Sequence, residues 1–106
     1  MAVVQLPLFA VDIFNQYGGH EFLLVTGAKE VGYVDNDKEK SLSFKLPANP
    51  KHIRYVKTIL EPTDVYTVQY FNFNNRGRII KEEKEVYAED LVDFFEINTG
   101  LYAYIA

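Results

Sequence analysis

The sequence predicts a single α+β domain over residues 1–106: an antiparallel sheet of about five strands, with an N-terminal and a C-terminal helix packed on one of its faces. Three observations carry this. Apolar residues follow a 3.6-residue period near each end of the chain. Between those ends, short alternating runs rich in Val, Ile, Tyr and Phe are separated by turn residues. The strands follow one another as hairpins between the two terminal helices, which argues for an antiparallel sheet.

The first helix is read from Leu6, Phe9, Ala10, Ile13, Phe14 and Tyr17, which fall on one stripe. Pro7 suits its first turn, where a missing N–H is not needed, and Gly18 with Gly19 supplies the left-handed stop. EFLLVTG then reads as a short strand buried on both faces, with Gly27 turning the chain into the next strand. KEVGYVD is a further strand, and NDKEK is the polar turn after it. SLSFKLP alternates, placing Leu42, Phe44 and Leu46 on one face against Ser41, Ser43 and Lys45. The loop PANPK ends it, IRYVKTILE follows as a strand, and EPTD forms a turn with Pro62 at its second position. VYTVQYFNF is the next strand, and NNRG closes a hairpin into RIIKEEKEV. The second helix runs from Tyr87 to Asn98, burying Ala88, Leu91, Val92 and Phe95, and Gly100 stops it. The tail LYAYIA alternates and is expected to pack back on the sheet.

With 106 residues and no cysteine, the chain has room for one core and none for disulfides, thiolate metal sites or a cysteine nucleophile. The apolar start MAVVQLPLFAVDIF has no basic flank and is interrupted by Pro7 and Asp12, so no signal peptide is expected. No apolar run approaches the ~20 residues of a membrane span, and a soluble, cytoplasmic protein is expected. Residues 82–106 carry seven acids against Lys84, whereas residues 1–81 carry ten Lys and Arg against eight acids. The overall charge of −4 therefore hides an acidic end on a nearly neutral body.

The stretch YGGHEFLLVTGAKE is the nearest approach to a phosphate loop, and it fails. G-x-x-x-x-G-K-[ST] would need glycine where Phe22 stands, lysine directly after Gly27, and a helix to follow. Asp35, Asp37 and Glu39 alternate like calcium ligands, but Lys40 and Leu46 occupy the glycine and glutamate positions of such a loop. His20 and His52 lack nearby ligands, and Ser41 and Ser43 sit in no nucleophile elbow. Neither catalysis nor a cofactor or metal is expected.

Two binding surfaces remain. Arg54, Lys57, Arg76, Arg78 and Lys81, interleaved with aromatic residues, suit a single-stranded nucleic acid, although a pI of about 5.1 opposes it. Tyr66 and Tyr70 on an open sheet face, with Glu89, Asp93 and Glu96 on the last helix, suit a protein partner, which is the expected one. In a variant of this reading the acidic face mimics nucleic acid and occupies a DNA-binding protein's site. A homo-oligomer is compatible with either.

GGHEFLLVTGAK, SLSFKLP, YVKTILEPTDVYTVQYF and VYAEDLVDFFEINTGLY, in that order over residues 13–104, resemble a family of small uncharacterised proteins of tailed bacteriophages and prophages. TGAK, LSFKLP and TGLY are the most distinctive segments. Glu30-Val31-Gly32 departs from the asparagine–aromatic pair of that pattern, and residues 72–85 form a variable hairpin. The resemblance implies a phage-encoded accessory protein and brings no catalytic or ligand residue with it.

Overall fold

A computed structural model describes residues 6–73 and 78–102. Helix α1 (Leu8–Tyr17) starts at Pro7, whose carbonyl accepts the N–H groups of Ala10 and Val11. Its inward residues are Ala10, Ile13 and Tyr17, at the spacing of one helix face. Gly18 (φ 126°) stops it, as the sequence predicts.

EFLLVT is not a strand. It lies in helix α2 (Gly19–Thr26), which starts directly beyond Gly18. Phe22 and Thr26, four residues apart, are buried, while Leu24 is 84% exposed. A strand would have placed all three on one face. Apolar runs this short fit either period, so sequence spacing alone does not decide. What decides is the end of the segment. Thr26 Oγ1 donates to the Phe22 carbonyl (2.7 Å) and accepts the Ala28 N–H (3.2 Å), and Gly27 (φ 78°) caps the helix rather than turning one strand into another.

The five strands are β1 (Lys29–Asp35), β2 (Lys40–Lys45), β3 (Tyr55–Leu60), β4 (Tyr66–Phe71) and β5 (Ile79–Val86). They form one antiparallel meander in chain order. The NNRG turn falls outside the described residues. A turn Ala88–Asp90 of 3-10 helix leads into α3 (Leu91–Thr99). Its buried residues Leu91, Phe95 and Thr99 again share one face, and Gly100 (φ 77°) caps it. Thr99 repeats the device of Thr26, with Oγ1 donating to the Phe95 carbonyl (2.7 Å) and accepting the Leu101 N–H (3.1 Å). Leu101 packs on the core; the tail's last four residues lie outside the described set.

Cross-strand register places Leu42, Thr58 and Val68 in one row and Phe44, Val56 and Tyr70 in the next, all fully buried or nearly so. Tyr17, Phe22, Phe44 and Phe95 come from α1, α2, β2 and α3, and every pair among them lies within ring-contact range, 5.0–6.2 Å between centroids. Aromatic pairs add about 0.5–1.5 kcal/mol beyond area burial. The Tyr17 hydroxyl is satisfied by Thr58 Oγ1 at 2.7 Å, so the phenol is buried without an orphaned polar tip.

Both edge strands are interrupted. In β1 the register shifts between Lys29 and Gly32 around Glu30 (φ 53°); in β5 it shifts opposite Tyr66–Val68 around Glu85 (φ 56°). Bulges with charged residues are the usual protection of an open edge against strand addition.

Candidate functional site

The pleat decides which predicted residues are available. Tyr66 and Tyr70 are 6% and 0% exposed, so they belong to the core and are not partner contacts. Both lie on the inward side of β4: Tyr70 pairs with Val56, a fully buried core residue, and Tyr66 stands four residues away at even spacing. Burial pushes both phenols above their usual range. Gln16 offsets part of this for Tyr66, and Asn98, short of a regular hydrogen bond, does so for Tyr70. The tyrosine on the outward face is Tyr55, edge-on to Phe71 at 5.6 Å.

That outward face is engaged with itself. Lys57 Nζ is 2.9 Å from Glu39, whose carboxylate also accepts the Ser41 hydroxyl. Gln69 donates to Glu82 at 2.7 Å, and Lys45 pairs with Glu30 at 2.7 Å. The Lys45 ammonium holds the Glu30 carboxyl below its usual range, first by the hydrogen bond and then by charge.

The basic constellation is divided rather than gathered. Lys57 shares its row with Gln69, and Lys81 shares its row with Tyr70, so the two lysines point to opposite faces of the sheet. Lys57 is neutralised by Glu39, and Lys81 stands 3.5 Å from Glu83. Arg76 lies outside the described residues. Arg54 and Arg78 remain as exposed cations with no carboxylate in ion-pair range among the described residues.

The acidic residues fare differently. Glu89 and Asp93 are exposed, four residues apart, and Ile97 continues their stripe at 68% exposure. Glu96 lies beside them, half-buried and engaged within the protein. Asp93, Glu96, Ile97 and Tyr102 line a shallow open cleft of about 410 Å³, and Tyr102 is 74% exposed. Ile97 and Tyr102 were not singled out from the sequence. The signal was present in the spacing Glu89–Asp93–Ile97, where an isoleucine interrupts an otherwise charged face.

His20 is exposed and lies edge-on to Phe14 at 6.1 Å, and His52 is exposed in a left-handed conformation (φ 59°). Among the described residues no three His, Asp or Glu side chains are grouped to hold a metal ion. No helix among them is long and apolar enough to cross a membrane. No protein-family model matches this chain, and neither does any curated protein or solved structure.

Proposed function

We propose that this chain is a non-enzymatic accessory protein that docks on a protein partner through the outer face of α3. The observation that carries the reading is Ile97, 68% exposed in line with Glu89 and Asp93 and sharing a cleft with Tyr102. Leu8 and Leu24 are exposed as well, but Ile97 is the one that shares a cleft with an exposed aromatic ring and acids among the described residues. An apolar anchor and an aromatic ring ringed by acids have the composition of a small interface core with a polar rim. The outward sheet face offers less, because its charged groups already pair with one another. The resemblance to small tailed-phage proteins adds a source, in which case the partner is host-encoded and the setting is the bacterial cytoplasm. Mimicry of nucleic acid is one form of this docking, since Glu89 and Asp93 present charge without a counter-ion among the described residues.

The test is affinity capture from a bacterial lysate with the wild-type chain and with Glu89→Lys/Asp93→Lys. The same partner is expected on the wild-type chain and is expected to be lost from the variant. Retention of that partner by the charge-reversed chain contradicts the assignment.

A second reading, single-stranded nucleic-acid binding, is favoured by Arg54, Arg78 and the 67% exposed Phe73. It requires anisotropy of a labelled oligonucleotide to rise at ~50 mM salt and to fall as salt is raised.

A further inference from the structure

The meander sorts charge by end. Acidic and basic loops alternate along the chain, and an antiparallel sheet brings every second loop to the same end. One end is crossed by the row Lys29–Lys45–Tyr55–Phe71–Ile79, with residues 46–54, Phe73 and Arg78 beyond it. The opposite end carries the β1–β2 turn at 36–39 and the β3–β4 turn at 61–65.

Lys29, Lys51, Arg54 and Arg78 are exposed at the first end, and none has a carboxylate in ion-pair range among the described residues. Asp37, Glu61, Asp64 and Glu85 stand at the second end without an ion-pair partner among the described residues, and Lys38 is the one cation there that equally lacks one among them. Strands of six residues hold the two ends about 20 Å apart. That exceeds a Debye length of ~8–10 Å, so these charges cannot satisfy each other within one molecule. The acidic end also holds an open cleft of about 600 Å³ between its two turns, where Asp37, Glu39, Glu61 and Asp64 outnumber Lys38 and Lys40, and Lys40 is paired with Asp35. The basic end offers the exposed Phe73 beyond the same row as Arg54 and Arg78.

We propose that the acidic end of one copy receives the basic end of a second copy, head to tail. Charge is complementary only in this sense: like ends repel, and the bulges at Glu30 and Glu85 interrupt both sheet edges against side-by-side pairing. The contact joins different surfaces of the two copies, so it propagates into short polar chains. A phosphate polymer fits the basic end less well, because the whole chain carries −4. This interface uses other residues than the α3 cleft, and its test does not depend on partner docking.

Sedimentation equilibrium of the full chain tests it, at ~50 mM and ~0.5 M salt. At low salt the average mass is expected to exceed the 12.2 kDa monomer and to rise with concentration. Association at high salt is expected to be about tenfold weaker or more. Arg54→Glu/Arg78→Glu and, separately, Asp37→Lys/Glu61→Lys are each expected to remain monomeric with unchanged circular dichroism. An equimolar mixture of the two variants is expected to associate again, since one then has two acidic ends and the other two basic ends. Any of three results overturns the proposal: a wild-type monomer at every concentration in low salt, association untouched by both reversals, or a mixture that stays monomeric. Association that appears only with added oligonucleotide replaces the second copy with nucleic acid.

Discussion

Tyr17 and Tyr70 place two phenols in the core, at 2% and 0% exposure, and both are held above the ordinary range first of all by burial. Thr58 lowers the Tyr17 value only partly through its hydrogen bond. The sign of the consequence is fixed. Below the unfolded value of about 10 both states keep the proton and stability does not change; above it the unfolded chain ionises first, and stability falls as pH rises. Each phenol is expected to contribute a slope of about 1.4 kcal/mol per pH unit, and the two together about twice that. Urea unfolding between about pH 8 and about pH 11.5 measures it. Tyr17→Phe is expected to remove one proton from the slope; an unchanged slope would show that Tyr17 ionises in the folded protein. The choice between Tyr66 and Tyr70 as core or surface was open in the sequence, because alternation in VYTVQYF says which residues share a face but not which face is covered. Only cross-strand register with Val56 and Leu60 resolves it.

At the scale of elements, most of the order was legible. α1, its glycine stop, the meander from KEVGYVD to RIIKEEKEV and the last helix all follow from period and turn chemistry. EFLLVT does not show its period because its apolar run, Phe22 to Val25, is only four residues long, and because Gly18-Gly19 reads as the end of helical structure rather than a bend between two helices. The correcting signal is internal to the chain. Phe22-x-x-x-Thr26-Gly27 and Phe95-x-x-x-Thr99-Gly100 are one helix-ending device used twice, with the same back-bonded threonine and left-handed glycine. Each glycine also faces a proline of the 47–50 loop. A Cβ on Gly27 would lie 3.1 Å from Pro47, and one on Gly100 would lie 2.9 Å from Pro50. Gly100→Ala is therefore expected to destabilise by about 1–3 kcal/mol, and Gly27→Ala by less. Thermal melts of both variants check this; equal stability of Gly100→Ala and wild type would mean that the α3 stop carries no strain.

At the scale of the whole molecule, folding leaves two kinds of unspent charge. Asp35, Glu30, Glu39, Glu82 and Glu83 are matched by nearby lysines, whereas Glu89 and Asp93 on α3 and Lys29, Arg54, Asp37 and Glu61 at the sheet ends have no ion-pair partner among the described residues. The acidic helix was visible in composition, but the anchor within it was not, because Ile97 gains meaning only once Leu91, Phe95 and Thr99 define the buried side. Docking through that face is the central claim, and Ile97→Asp tests it most directly. At 68% exposure the substitution is expected to change stability by no more than about 0.5 kcal/mol. Paired thermal melts and affinity capture are predicted to give an unchanged melting temperature and loss of the partner held by the wild-type chain. An equally stable variant that still captures that partner would contradict the account.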